Sequence, residues 1–180
     1  GEGFDLHCGG MDLKFPHHEN ERAQAVALGK RFANHWMHNG FVVDPVGEKM
    51  SKSLGNVTNL LDLMEHYDPR AYRMLLLQSH YRGPVSVGQD NIDAAVKALS
   101  GLDSFAARTA SLPVVDPDAD VLARFREQMD DDLDTPSSTA LLFDTVRRAN
   151  AALDAGDPSV ASLAAAVGEM CTAFGLVLNA

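Results

Sequence analysis

Beyond Asp90 an apolar residue returns every three or four positions almost to the end of the chain, and that period restricts the second half to packed helices. The first stripe, from Asp90 to about Ala107, carries Ile92, Ala95, Val96, Leu99, Leu102 and Phe105-Ala106. Leu112-Pro113 and Asp116-Pro117-Asp118 then read as a linker and a domain boundary. A second stripe follows in Val121, Leu122, Phe125 and Met129 and is ended by Asp130-Asp131-Asp132. That triplet reads as the solvated acidic flank of the next helix rather than a metal site. Asp134-Thr135-Pro136 opens a helix through Leu142, Phe143, Val146, Ala149 and Leu153 to Gly156. The last helix should bury Val160, Leu163, Val167, Met170, Cys171 and Phe174, and Leu178 beyond them. Helices apolar on one face with short connections predict an antiparallel bundle.

The first half reads differently. Phe4-Asp5-Leu6-His7 alternates and then meets Cys8-Gly9-Gly10, which predicts a short strand entering a tight turn. Pro16 suits the first turn of a helix from His17 to about Gly29, with Ala23, Val26, Ala27 and Leu28 as its apolar contacts. Strand, glycine turn and helix N-terminus make a place for an anionic or hydroxylated ligand. Asn39-Gly40, before Phe41-Val42-Val43, predicts a hairpin. From Thr58 the pattern turns helical, with Asp68-Pro69 as N-cap and first-turn proline of a second helix. Arg70, Arg73 and Arg82 make this segment positive, as solvated side chains or as contacts to a nucleic-acid backbone.

Composition narrows the function. No apolar run approaches the ~20 residues of a membrane span, and the start has no basic-then-apolar leader. The absent initiator Met reads as a fragment or a processed chain. Two cysteines, Cys8 and Cys171, are too few for a disulfide framework, so a cytoplasmic location is expected. A net charge of −10 argues against a generic polyanion binder. From Asp116 onward there are 12 acidic and 4 basic residues, against 13 and 11 before it, so phosphate contacts belong to the first two-thirds.

Two clusters carry chemistry. In His17-His18-Glu19-Asn20-Glu21, His17 and Glu21 are four apart and rotated by only about 40°, so imidazole and carboxylate share one helix face. They can ligate one zinc ion or form a plain ion pair. Cys8 is a possible third ligand, although a small buried thiol is the expected role. Lys49-Met50-Ser51-Lys52-Ser53, flanked by Gly47 and Gly55, is a cationic loop fit to meet a polyphosphate or to stay solvated.

The pentapeptide resembles the second signature of class I aminoacyl-tRNA synthetases. The run from Phe4 through Cys8-Gly9-Gly10-Met11-Asp12 and Phe15-Pro16-His17-His18-Glu19-Asn20-Glu21 resembles the cysteinyl-tRNA synthetase family. So do Trp36-Met37-His38-Asn39-Gly40, His80-Tyr81-Arg82 and Met129 through Asp134-Thr135-Pro136, which extends the resemblance over essentially the whole chain. It implies a mixed, mostly α chain. Residues 1–57 would be the C-terminal part of a Rossmann-like α/β catalytic domain, 58–112 a helical stem-contact segment and 113–180 an α-helical bundle of the tRNA-binding type.

The resemblance also implies a reaction. Cysteine attacks the α-phosphate of ATP, supplied with Mg, to give cysteinyl adenylate, and the 3′ end of tRNA(Cys) accepts the cysteinyl group. Zinc binds the substrate thiolate and rejects serine, because a hydroxyl is a poor zinc ligand. Carried over by position, His17 and Glu21 are zinc ligands, and His7 lies near the bound L-cysteine. Gly10 and Asp12 contact the ribose of ATP, while Lys52 and Lys49 stabilise its phosphates. The family's first signature, of His-x-Gly-His type, does not occur in residues 1–180, and two further cysteine ligands are expected upstream. The piece by itself is therefore expected to be inactive, to bind zinc weakly and to self-associate through uncovered apolar faces, whereas the parent enzyme is expected to be a monomer. The rivals are the cysteine ligase of mycothiol synthesis, which uses an amino-sugar acceptor, and a non-catalytic helical interaction module. Glu21 and the Asp-rich bundle favour the synthetase.

Overall fold

A computed structural model describes residues 3–44, 47 and 60–179. These form two compact units. One consists of the described residues before 58 together with Tyr81–Val87; the other runs to His80 and resumes at Gly88.

The first unit is built on parallel strand pairs. Strand β1 (Phe4–Gly10) pairs with β2 (Ala33–Asn39), and His7 lies opposite Trp36, Gly9 opposite His38 and Gly10 opposite Asn39. β1 thus continues through both glycines instead of turning at them. A 3-10 turn over Met11–Leu13 and a wide turn over Lys14–His18 follow, with Phe15 extended at φ −143° and ψ 135°. Helix α1 (Glu19–Ala27) starts two residues later than the expected His17, because His17 and His18 belong to the wide turn that precedes it. It buries none of its residues: Val26 and Leu28 are among the exposed apolar side chains, and the expected apolar contacts are absent.

The predicted Asn39-Gly40 hairpin does not form. Strand β3 (Val42–Val43) pairs in parallel with β4 (Val85–Ser86), a partner some forty residues away. Gly40 is not left-handed, as a tight hairpin turn would require. It is glycine because two backbones meet there: a Cβ would lie 1.9 Å from the Gly83 carbonyl oxygen, and the Gly40 N–H donates to the Tyr81 carbonyl at 2.7 Å.

The second unit follows its sequence closely. Helix α2 (Leu60–His66) leads to α3 (Pro69–Leu77), where the Asp68 carboxylate accepts from the Arg70 amide and so caps the helix. Helix α4 (Gln89–Thr109) buries Ile92, Ala95, Leu99, Leu102 and Phe105, although Val96 is exposed. Asp118 caps α5 (Ala119–Asp130) and Asp134 caps α6 (Thr135–Ala155), which ends at left-handed Gly156. Helix α7 (Ser159–Ala173) completes the set. α6 and α7 pack together across a three-residue connection, so they run antiparallel, and α5 packs on both. α3 and α4 pack on each other and on this group. Met74, Leu102, Leu142, Val167 and Met170 are fully buried. Leu176 is buried as well, a core position the periodicity did not single out.

Arg70 joins three segments. Its guanidinium donates to Asp68, to both Asp103 oxygens at 2.9 and 3.0 Å and to the Val177 carbonyl at 2.7 Å. It is therefore a structural tie rather than a free cation. No helix among the described residues is long and apolar enough to cross a membrane.

Candidate metal centre at the strand ends

β1 and β2 run in the same direction, so Gly10 and Asn39 mark their shared carboxyl end, where open parallel sheets place ligands. Alternation along β1 puts His7 and Gly9 on one face and Leu6 and Cys8 on the other. The register brings Trp36 and His38 to the face of His7 and Gly9. His17 and His18 are successive, and consecutive helical residues point about 100° apart. His17 stays exposed on the side of Glu21, while His18 turns in and is 4% exposed.

His18 fits because Gly9 has no side chain. A Cβ at Gly9 would lie 2.7 Å from His18 Cε1 and 2.9 Å from Nε2. His18 Nδ1 shares a 2.9 Å hydrogen bond with His38 Nε2, one ring donating and the other accepting. Burial, then the neighbouring His7 and His38, pushes the His18 pKa below its ordinary value. The His7 ring packs edge-on against Phe32, Trp36 and His18 at centroid distances of 5.1, 5.1 and 4.6 Å.

Glu21 stands between two imidazoles. An ionised carboxylate only accepts, so His7 Nε2–H donates to Oε2 at 3.0 Å. The other oxygen, Oε1, is 3.5 Å from His17 Nε2. Donor atoms of His7, His18 and Glu21 also lie within 4.8 Å of one another. Two ligands at about 2.1 Å from a tetrahedral zinc are about 3.4 Å apart, so the His17–Glu21 separation fits one edge of such a site. The nitrogen and oxygen donors suit the ion as well.

Gly10 and Asp12 come together just beyond β1: a Cβ at Gly10 would meet Asp12 Oδ1 at 2.6 Å. Cys8 is exposed, not a buried thiol, because its face of β1 has no helix over it among the described residues. Lys49 and Lys52 lie outside the described residues. Sequence reasoning gave no site role to His18, His38 or Trp36. The doubled histidine was the available signal, since a helix cannot place both rings on one face.

Residues 1–97 match the tRNA synthetases class I (C) catalytic domain, and residues 124–179 match the DALR domain. The cysteine–tRNA ligase of Kocuria rhizophila is 45% identical over 180 residues, covering 98% of this chain and 37% of that protein. That of Azotobacter vinelandii is 45% identical over 181 residues, covering 98% and 38%. The chain thus spans less than two-fifths of the length of these curated relatives. A LeuRS of Agrobacterium radiobacter, solved with tRNA and LeuAMS, superposes with a TM-score of 0.78 at 18% identity, over 94% of this chain and 26% of that one. Methionyl-tRNA synthetase of Mycobacterium tuberculosis, bound by methionyl-adenylate, gives 0.66 at 21%, over 93% and 39%. The fold is that of a class I aminoacyl-tRNA synthetase, and the chain belongs to the tRNA synthetases class I (C) catalytic domain family.

Proposed function

We propose that residues 1–180 are part of a cysteine–tRNA ligase that uses ATP, L-cysteine and tRNA(Cys) in the cytoplasm and acts as a monomer. In this reading residues 1–57 belong to the catalytic domain, 58–112 to the stem-contact segment and 113–180 to the tRNA-binding bundle. The observation that carries the proposal is the 3.5 Å His17–Glu21 separation at the carboxyl end of a parallel strand pair.

The cysteine carboxylate attacks the α-phosphorus of ATP, a P–O bond forms and pyrophosphate leaves. The 3′-terminal ribose hydroxyl then displaces AMP. Lys52 and Lys49 neutralise the phosphates and the leaving pyrophosphate, whose Mg travels with the nucleotide. Gly10 leaves room for the ribose and Asp12 accepts from its hydroxyls, while His7 lies beside the bound cysteine. His17 and Glu21 would hold zinc, which when bound prefers a thiolate to a hydroxyl and so selects cysteine over serine.

The test uses a full-length protein in which residues 1–180 replace the matching segment of the Kocuria rhizophila ligase. Labelled cysteine and ATP are offered with tRNA or with a glucosaminyl inositol in separate reactions. Label on tRNA is expected. Label on the amino sugar would move the chain to the mycothiol-type ligases, and no label or adenylate at all would favour an interaction module.

A further inference from the structure

The two contacts of Glu21 differ in kind. The 3.0 Å His7 contact has the length of an ordinary N–H···O hydrogen bond, whereas the 3.5 Å His17 separation is too long for one and fits two ligands sharing a metal. The two imidazoles also engage different oxygens, Oε2 for His7 and Oε1 for His17. A carboxylate held at one oxygen by an N–H cannot rotate freely, so its second oxygen is fixed in direction.

His7 is itself held from three sides. Phe32, Trp36 and His18 pack against its ring, and His18 is fixed by its bond to His38 and by the absence of a side chain at Gly9. Partners of this kind orient metal ligands in other proteins, and their removal costs about 10–100-fold in metal affinity.

We propose that His7 is a positioning residue for the zinc site, its Nε2–H holding Glu21 Oε2 so that Oε1 stays turned toward the metal shared with His17. This rests on the cysteine-ligase reading and adds to it a role for His7 toward Glu21, besides its place beside the substrate. Three observables separate the possibilities: zinc affinity, the KM for cysteine and the fold.

The experiment measures zinc affinity by competition with a chromophoric chelator in the same full-length protein. His7→Phe keeps a ring against Trp36 and Phe32 but has no N–H, and it is expected to weaken zinc about 10–100-fold. His7→Gln keeps a donor and is expected to recover most of that loss, a rescue that a purely packing role would not give. Unchanged zinc affinity in His7→Phe, with only the KM for cysteine raised, would overturn the proposal. Complete loss of zinc, equal to that of Glu21→Gln and not rescued by His7→Gln, would also overturn it and make His7 a ligand. If His7→Phe does not fold, zinc affinity in His7→Ala decides by the same criteria. Absence of zinc from the unsubstituted protein would remove both this inference and the functional reading, whereas a normal zinc content with an unaffected His7→Phe removes the inference alone.

Discussion

The two units differ in what they bury within residues 1–180. The helical unit has a dry core of Met74, Leu102, Leu142, Val167 and Met170. Among the described residues of the site-bearing unit, the buried side chains are His18 and Val87. Phe4, Leu6, Phe15, Val26 and Leu28 stay exposed there, and the close contacts are between histidines, aromatic rings and a carboxylate. Parallel strands are ordinarily covered on both faces. Within residues 1–180 the site-bearing unit thus leaves apolar side chains uncovered around a polar cluster, while the helical unit buries its apolar faces against itself.

One substitution made in both places measures this contrast. Leu142→Ala empties a fully buried position and should cost about 3–4 kcal/mol in urea unfolding of the helical signal. Leu28→Ala, at a position 72% exposed, should cost less than about 0.5 kcal/mol. Equal costs would break the comparison. Arg70→Ala comes next: it takes the guanidinium from the Val177 carbonyl and from Asp103, which keeps only the Asn179 amide among its described donors, and should cost about 2–4 kcal/mol in the same assay. Removing the α6 cap with Asp134→Ala should cost about 1 kcal/mol.

The acid response sharpens the same contrast. The Arg70 bond holds the Asp68 carboxyl below its ordinary 3.8. Burial pushes Asp103 up, but the Arg70 bond and the Asn179 amide outweigh it, so Asp103 is lowered as well. The Ser137 hydroxyl and amide lower Asp134. The unfolded chain therefore binds more protons near pH 4 than the folded one, and stability rises with pH. The helical unit should be fully stable above that range and lose stability as pH falls through the lowered values. Thermal melts followed by circular dichroism at pH 5 and pH 3 test this, and equal melting temperatures would contradict it.

What was legible in the sequence was local. Asp68 and Asp134 announced helix starts through a side chain bonding an amide two or three residues away, and Gly156 announced an end, whereas Asp118, read as linker, caps α5 in the same way. The apolar stripes gave the core of α4, α6 and α7 because a 3.6-residue period is written within one segment. Strand pairing is not written that way. Gly40 looked like a hairpin glycine, yet its constraint comes from Gly83, far along the chain. Arg70 looked like a solvated or nucleic-acid-binding cation because Asp103 and Val177 are distant in sequence. At the site, the i,i+4 rule gave His17 and Glu21, while the inward place of His18 depends on Gly9 and His38 across two strands. Cys8 faced outward for the same reason: which strand face is covered is a property of the pairing.

The zinc-dependent selection of cysteine is tested most directly by cysteine-dependent exchange of pyrophosphate into ATP by the full-length protein carrying residues 1–180, with serine as the competing substrate, before and after zinc is stripped by a chelator. Exchange is expected with cysteine and not with serine, lost on stripping and restored by zinc. Exchange that ignores zinc, or that accepts serine as readily as cysteine, would contradict that selection.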